Sequence, residues 1–229
     1  MSNDYLFQDE ISKLMIVPDS SYIDLILYYS LDNTTKDLSC FENHGILDGG
    51  TYGFDGRGFA NSALYINEAV QGVRMTNRNL TTGKEGTICL WLKKVNYGRN
   101  QTDMIFLNWP NDDKYRMYLN YHEQIGLHFR YGWINVQDNT YLSWTGCYDW
   151  QPNKWHFIAI SWKNVGNKMN LKLYVDGNLF SEKNTSLIID VPANFSFGKP
   201  FPDNTYGTFY GTLDEIRWYK RALTNNQII

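Results

Sequence analysis

Short segments of strand length recur along this chain, and each is followed by a polar or glycine-containing break. Clear examples are "LILYYSL" (25–31), "GTICLWLKKV" (86–95) and "KWHFIAISW" (154–162). Residues that favour strands are abundant, with aromatic residues at 16% of the chain, whereas Glu and Ala are scarce. No helical periodicity of comparable length accompanies these segments. The pattern predicts an all-β protein in which two antiparallel sheets pack face to face.

The strand pattern continues through most of the chain without a linker between two parts. A length of 229 residues suits one large all-β domain. We expect residues 22–229 to form this single domain, and residues 1–21 to form an N-terminal arm or an extra edge strand. The dipeptide Asp176-Gly177 predicts a tight hairpin turn, because both central residues of a type I′ turn need positive φ. The runs 115–121 and 125–132 predict a second hairpin.

Charge and composition argue against two classes of partner. The formal net charge is -3 and there is no basic block, so we expect no nucleic-acid binding through phosphate neutralisation. No run approaches the roughly 18 apolar residues of a spanning helix, so we expect no membrane insertion. The N-terminal residues lack the basic start and apolar core of a signal peptide. Three irregularly spaced cysteines predict free thiols rather than a disulfide framework.

The last predicted strand, "FYGTLDEIRWYKRAL" (209–223), contains an unexpected carboxylate. In a regular strand Asp214 shares one face with Ile216 and Trp218, and Glu215 points to the opposite face. Two apolar neighbours mark the face of Asp214 as buried. Because an unpaired carboxylate costs several kcal/mol on burial, we expect Asp214 to have a partner.

Four stretches, in order, resemble the laminin-G-like, concanavalin A-like jelly-roll domains. They are "LILYYSLDN…DLSCFENHG", "GRGFANSALYIN", "KWHFIAISW…LKLYVDGNLF" and "FYGTLDEIRWYKRALTNNQI". The resemblance extends from about residue 22 to the end of the chain. It implies a jelly-roll β-sandwich of two antiparallel sheets, and sandwich topology can bring the first and last strands together.

The resemblance also implies a structural calcium ion, which many relatives hold between the opening loop and the closing strand. Calcium takes six to eight oxygen ligands, and the loop from Asp32 to Gly45 is rich in carboxylate and amide oxygens. We expect Ca²⁺ to be bound by Asp32, Asp37, Asn43 and Asp214. Alternatively, Asp214 caps backbone N–H groups of this loop, or pairs with Arg217 or Arg221.

The motifs of several enzyme classes are absent. Glucan hydrolases of this architecture need Glu-x-Asp-x-x-Glu on one strand, and no Glu in this chain has an Asp two residues later. The four histidines lack zinc-binding spacing, and there is no nucleophile elbow, phosphate-binding loop or dinucleotide fingerprint. We therefore expect no enzymatic activity.

Aromatic residues interleaved with Asn, Gln and Asp mark the middle of the chain, above all residues 131–155. Aromatic rings stack on the apolar faces of sugars, and amide and carboxylate groups bond vicinal hydroxyls. We expect a carbohydrate-binding site formed by Trp109, Trp133, Trp144, Tyr148, Asp149 and Trp150. For the tryptophans outside strand patterns, packing or subunit contact is the alternative. The other four tryptophans lie in strand patterns and predict core packing.

These features predict a non-catalytic carbohydrate-recognition domain that acts at a cell or particle surface, outside the cell or on a virion. Its partner is then a glycan or polysaccharide. The alternative is a structural, decoration or attachment protein of a virion, whose jelly roll mainly contacts other subunits. In that case the chain forms a homo-oligomer or part of a particle, and its aromatic residues fill subunit interfaces.

Overall fold

A computed structural model describes residues 24–75, 83–95, 102–109, 115–122, 126–133, 140–144, 151–186, 194–199 and 207–228. Residues 1–21, predicted as an arm or edge strand, lie outside these ranges. The strands are β1 (Leu25–Tyr29), β2 (Ile46–Asp48), β3 (Thr51–Gly53), β4 (Ala63–Ile66), β5 (Gly72–Met75), β6 (Glu85–Lys94), β7 (Thr102–Trp109), β8 (Tyr115–His122), β9 (Gly126–Trp133), β10 (Thr140–Trp144), β11 (Trp155–Val165), β12 (Lys168–Val175), β13 (Asn178–Thr185), β14 (Asn194–Phe197) and β15 (Gly211–Tyr219). One short helix, α1 (Asn225–Ile228), follows.

The strands form two sheets, and every strand pair observed is antiparallel. The eight-stranded sheet has the order β13-β12-β11-β6-β15-β4-β3, with β1 also paired to β15. The seven-stranded sheet has the order β10-β9-β8-β7-β14-β5-β2. The predicted all-β jelly-roll sandwich is confirmed. The first described strand lies beside the last, with Leu25 opposite Tyr219.

The main core lies between the two sheets and is rich in aromatic residues. Trp162 of β11 and Trp218 of β15 are fully buried, with ring centroids 6.3 Å apart. Phe195 of the opposite sheet packs edge-on against Trp218 at 4.4 Å. These contacts confirm that both tryptophans are packing residues, as their strand patterns predict.

Both predicted hairpins are present. Val175 of β12 pairs with Asn178 of β13, and the two turn residues between them have positive φ, 49° at Asp176 and 78° at Gly177. In the second hairpin Tyr115 of β8 pairs with Trp133 of β9. Turn chemistry is local in sequence, which is why these features were predictable.

A second apolar cluster covers part of the outer face of the eight-stranded sheet. It contains Leu25, Cys89, Trp91, Phe157, Ala159, Tyr174, Tyr219, Leu223 and Ile228. Leu223 and Ile228 come from the segment after β15, which therefore folds back over this sheet. The thiols of Cys40 and Cys89 are free, as predicted. Within the described ranges, no helix is long and apolar enough to cross a membrane.

Candidate functional site

A β-bulge interrupts β15 at the carboxylates that the sequence singled out. Asp214 is opposite Trp91 of β6, but Arg217 is opposite Cys89, so an extra residue is accommodated between these two pairs. Glu215 takes up the distortion in a left-handed conformation with φ of 52°. Bulges of this kind redirect side chains relative to a regular strand.

The bulge overturns the predicted faces of Asp214 and Glu215. Ile216 and Trp218 belong to the core between the sheets, whereas Asp214 is opposite Trp91, a residue of the outer cluster. Asp214 therefore lies on the outer face of the sheet. The prediction that Asp214 and Glu215 point to opposite faces is also wrong, because both line one small cavity.

This cavity, the Asp214 cavity, lies on the outer face of the eight-stranded sheet. It is lined by Asp55, Gly56, Arg57, Trp91, Trp155, Asp214 and Glu215. Its volume of about 10 Å³ leaves room for a single water-sized particle. The buried indole N–H of Trp91 has no hydrogen-bond partner within the described part of the chain. The cavity thus combines carboxylates with an uncommitted N–H donor.

Asp214 is buried and, within the part of the chain that the structure describes, has one hydrogen bond, which its Oδ1 accepts from the backbone N–H of Glu215 at 2.8 Å. The pKa of Asp214 is raised to about 9, mainly by burial. The negative charge of Glu215 also raises this pKa, by more than the hydrogen bond from the Glu215 N–H lowers it. Asp55 and Asp32 add to the same effect. Without a bound metal ion, Asp214 is therefore protonated at neutral pH.

The other two carboxylates of the cavity are already paired. Glu215 accepts hydrogen bonds from the hydroxyl of Tyr28 at 3.1 Å and from Arg217 at 2.5 Å. Asp55 Oδ2 accepts from Arg57 at 2.8 Å. Arg217 thus pairs with Glu215 rather than with Asp214. Arg221, the other predicted partner of Asp214, pairs instead with Asp24 at 2.9 Å.

The opening loop after β1 is organised by Asp37, which is buried. Its Oδ1 accepts hydrogen bonds from the backbone N–H groups of Tyr28 and Ser39 at 2.7 and 2.9 Å. Its Oδ2 accepts from the Ser39 hydroxyl at 2.7 Å and from the backbone N–H of Asn43 at 2.9 Å. Four donors satisfy a carboxylate. The geometry therefore gives Asp37 the role of shaping the loop.

Two further loop residues have structural partners. The side-chain amide of Asn43 donates to the carbonyl of Ile26 at 2.8 Å, and the Asn43 carbonyl accepts from the Tyr29 hydroxyl at 2.6 Å. His44 Nδ1 accepts from the backbone N–H of Asp37 at 3.2 Å, so His44 helps to hold the loop.

The predicted calcium ligands fit the ion only in part. Asp214 offers a carboxylate oxygen that has no hydrogen bond to any described residue, and Asp32 is exposed and close enough to influence the pKa of Asp214. Among the described residues, however, no three His, Cys, Asp or Glu side chains converge as metal ligands do. A calcium ion at Asp214 would complete its six to eight oxygens with backbone carbonyls and water.

The predicted sugar-binding residues fall at two ends of the seven-stranded sheet. Trp109 ends β7 and Trp133 ends β9, on either side of the beginning of β8. Trp144 ends β10 opposite Leu127, near the beginning of β9. At about 3.3 Å per residue, the two ends of β9 are roughly 20 Å apart. Trp144 is therefore distant from the other two, and Tyr148, Asp149 and Trp150 lie outside the described residues.

The outer face of the seven-stranded sheet presents a further set of sugar-compatible groups. The rings of Tyr118 and His128 stack with centroids 6.3 Å apart and an interplanar angle of 28°. Asn120, opposite His128, is 6% exposed, and its Oδ1 has no hydrogen-bond partner within the described ranges. We call Tyr118, Asn120 and His128 the Tyr118 face.

Sequence reasoning missed the Tyr118 face although a signal was present. In β8 the core residues Met117 and Leu119 alternate with Tyr118 and Asn120. Reading this period of two assigns an aromatic ring and an amide to the outer surface. The density of tryptophans in the following segment is the stronger compositional signal, and the predicted site was based on it.

Solved structures with this fold include toxin and polysaccharide-degrading proteins. The ligand-binding domain of botulinum neurotoxin serotype D, solved with N-acetylneuraminic acid, has a TM-score of 0.70 at 16% identity, covering 91% of this chain and 50% of that one. Domain 4 of AbnA, a GH43 extracellular arabinanase from Geobacillus stearothermophilus solved with arabinotriose, has a TM-score of 0.62 at 20% identity, covering 90% and 96%. The binding domain of Paraclostridial Mosquitocidal Protein 1 has a TM-score of 0.68 at 17% identity, covering 90% and 51%.

The chain thus spans about half the length of the two toxin domains. At sequence identities this low, the structural similarity shows a shared fold and nothing more. No curated protein sequence matches the chain at a significant level. A family model does match, over residues 67–229 and so over most of the chain. The chain belongs to the concanavalin A-like lectin/glucanases superfamily.

Proposed function

We propose that this protein is a non-catalytic glycan-recognition domain that acts outside the cell, and that it binds glycans at the Tyr118 face. The observation that carries the proposal is the stacked Tyr118–His128 pair beside a buried amide oxygen that has no partner among the described residues. Aromatic rings pack on the C–H surface of a sugar. A rotation of the Asn120 side chain on binding would bring its amide oxygen to a sugar hydroxyl. Superfamily membership and two fold neighbours solved with saccharides support it.

The tryptophans predicted from sequence extend this proposal to the ends of the same sheet. Trp109 and Trp133 would contact a glycan where it passes over one end of the sheet, and Trp144 would do so at the other end, together with Tyr148, Asp149 and Trp150. A chain of several sugar rings reaches across such a distance, whereas a monosaccharide does not.

The absence of catalysis is part of the proposal. Asp214 and Glu215 are the adjacent carboxylates that most resemble an acid–base pair, and they share one cavity. Glycoside hydrolysis needs two carboxyl groups flanking a bound glycosidic bond. A cavity of about 10 Å³ has no room for that bond.

A glycan array followed by titration calorimetry tests the site. We expect the wild-type protein to retain at least one glycan, and Tyr118→Ala to weaken that binding at least tenfold. Tyr65→Ala removes a half-buried tyrosine from the other sheet and should bind as the wild type does. Trp133→Ala and Trp144→Ala report on the two ends of the sheet. Retention by Tyr118→Ala at wild-type affinity contradicts the proposed site, and an empty array contradicts the proposed function.

Calcium binding at Asp214, with Asp32 nearby, is a second part of the proposal. The ion would stabilise the ionised form of a buried carboxylate and hold the opening loop against β15. Asp37 and Asn43 would act by shaping that loop. Metal analysis of the purified protein and its melting temperature with and without chelator test this. No bound calcium, together with an unchanged melting temperature, contradicts it.

Exposed phenylalanines favour a second candidate function, in a virion or other assembly. Phe54 and Phe59 are 63% and 60% exposed on either side of Asp55, and Phe41 is 44% exposed. Phe54 and Phe59 flank one turn, in which the Asp55 N–H donates to the Phe59 carbonyl at 3.1 Å. Exposed apolar side chains in one place mark protein contacts more often than scattered ones do. Sedimentation of the intact chain tests this role: a symmetric oligomer or particle supports it, and a monomer at all concentrations contradicts it.

A further inference from the structure

A polar groove, the C-terminal groove, lies between the outer face of β11–β12 and the segment that follows β15. Its volume is about 430 Å³, within the range of small-molecule sites. It is lined by Ser161, Lys163, Asn170, Lys172, Ala222, Leu223, Thr224, Asn225 and Asn226. It is separate from the Tyr118 face, which is on the other sheet.

Both walls of the groove are held in place. On the strand side, Ser161 is paired with Lys172 across β11–β12, and Lys163 with Asn170. On the other side, the backbone N–H of Leu223 donates to Thr87 Oγ1 of β6 at 2.8 Å. The groove is therefore formed by ordered elements on both sides and is preformed for a ligand.

Segment 222–226 also contacts the outer face of the eight-stranded sheet. The Tyr174 hydroxyl donates to Asn225 Oδ1 at 2.6 Å, and Leu223 is buried in the outer cluster. The bond to Tyr174 uses the oxygen of Asn225 and leaves its N–H₂ group to face a ligand. A fixed amide donor thus stands at the rim of the groove.

The two lysines give the groove its charge. Among the described residues that line the groove there is no carboxylate. Lys163 approaches Glu85 at 3.8 Å and Lys172 approaches Glu182 at 3.9 Å, and both distances exceed hydrogen-bond length. Neither ammonium group has a hydrogen bond among the described residues. Exposed ion pairs at such distances contribute little to stability. Each lysine can therefore readily exchange its glutamate for the carboxylate of a ligand.

Polar partners for hydroxyl groups stand beside the lysines. Asn170 donates its N–H₂ group to Glu182 and Asn184, at 2.8 and 3.1 Å, which leaves its oxygen as an acceptor. Asn226 adds an exposed amide, and the exposed Thr224 hydroxyl, which donates to Gln227 Oε1 at 3.2 Å, adds an acceptor. The described lining residues include no aromatic ring, so recognition here would depend on charge and hydrogen bonds rather than on stacking.

We propose that the C-terminal groove is a second binding site, for a carboxylated saccharide whose carboxylate sits between Lys163 and Lys172. The choice of a saccharide rests on the proposed glycan recognition. The choice of an acidic one rests on the two lysines, whose ammonium groups have no hydrogen bond to a carboxylate among the described residues. Asn170 and Asn225 then bond the ring hydroxyls.

Nuclear magnetic resonance titration of the labelled full chain tests the groove with matched probes. The acidic probes are 3′-sialyllactose and digalacturonate, and the neutral counterparts are lactose and digalactose. We expect the acidic probes to shift amide signals of residues 222–226 and of β12, and the neutral ones to leave them unchanged. Raising the salt concentration should weaken the acidic binding, because the contact is partly ionic.

Charge variants make the test specific. Lys163→Gln combined with Lys172→Gln should weaken the acidic probe at least tenfold. Lys36→Gln, an equal charge change per residue in the exposed opening loop, should leave binding unchanged. Binding of the acidic probes by the double variant at wild-type affinity, or shifts confined to other residues, would overturn the groove proposal.

The two proposals fail in different ways. Array binding that Tyr118→Ala abolishes, with no groove shifts from either acidic probe, overturns the groove alone. Groove shifts that the double lysine variant abolishes, with no glycan bound at the Tyr118 face, overturn the Tyr118 site alone. Absence of any saccharide contact in both experiments overturns both.

Discussion

At the scale of single residues, Asp214 shows how burial decides the state of an acid. Its pKa of about 9, against an ordinary value of 3.8, means that the folded protein holds a proton that the unfolded chain releases. The stability from this proton is fully present below about pH 4 and is lost as the pH rises towards 9. Asp214 therefore favours the folded state at low pH.

Replacing Asp214 by Asn removes this titration while keeping the shape and the acceptor for the Glu215 N–H. In chelator, we expect the wild type to lose stability relative to Asp214→Asn as the pH rises from 5 to 8. The difference in the free energy of unfolding should change by up to about 1.4 kcal/mol per pH unit. Urea denaturation of both proteins at several pH values measures it. A difference that is constant with pH contradicts the assignment.

Calcium provides an independent check on the same residue. If a cation binds Asp214, adding calcium at pH 8 raises the urea midpoint of the wild type and leaves that of Asp214→Asn unchanged. An equal response of the two proteins would place the ion elsewhere.

Sequence reasoning identified Asp214 as a residue in need of an explanation, but it gave the residue the wrong face. The alternation rule assumes one residue per step of the strand, and the bulge breaks that assumption. The bulge holds Glu215 in a left-handed conformation. Glutamate has no local preference for this conformation, so it results from tertiary packing. The hydrogen bonds of Asp37 likewise cannot be predicted from the sequence, because they depend on how the loop folds onto Tyr28.

At the scale of elements, the accuracy of prediction follows how local the chemistry is. The Asp176-Gly177 hairpin needed only two turn residues. The short helix α1 likewise begins with a local contact, in which Gln227 Oε1 accepts the Thr224 N–H at 3.0 Å in a capping box. The order of strands within each sheet could not be derived, because it depends on contacts between distant parts of the chain.

Gly86 of β6 allows a close approach between two elements. A Cβ atom at this position would overlap the indole ring of Trp162, which is fully buried. We expect Gly86→Ala to lower the free energy of unfolding by about 1–3 kcal/mol through overpacking. At Gly53 of β3 the nearest atom to an added Cβ is 3.7 Å away, so Gly53→Ala is the matched control and should change stability much less. Equal effects in denaturant titrations would contradict the steric explanation.

At the scale of the whole molecule, the two sheets are joined by a buried ion pair as well as by the apolar core. Lys94 of the eight-stranded sheet pairs with Asp103 of the seven-stranded sheet, and each is 2% exposed. The Lys94 ammonium group also lies 5.1 Å from the ring centre of Tyr121. Removing one member of such a pair leaves the other charge buried.

We expect Lys94→Met to destabilise the protein by about 3–5 kcal/mol, because the buried charge of Asp103 loses the Lys94 ammonium group. The double change Lys94→Met with Asp103→Leu should recover most of that loss. Lys163→Met breaks the exposed approach to Glu85 and should cost less than about 1 kcal/mol. Urea denaturation measures all three, and a double variant as unstable as the single one would contradict the explanation.

The pairing of β1 with β15 also determines how the domain would respond to tension along the polypeptide. The chain enters β1 at Leu25 and leaves β15 at the opposed Tyr219, and the N–H of Lys220 donates to the carbonyl of Asp24 at 2.8 Å. Once the segment after β15 has detached from the sheet, a pull on the two flanking segments therefore acts on one end of an antiparallel ladder and breaks its hydrogen bonds one after another. Loaded in this way, the sandwich yields at low force, because its bonds never share the load.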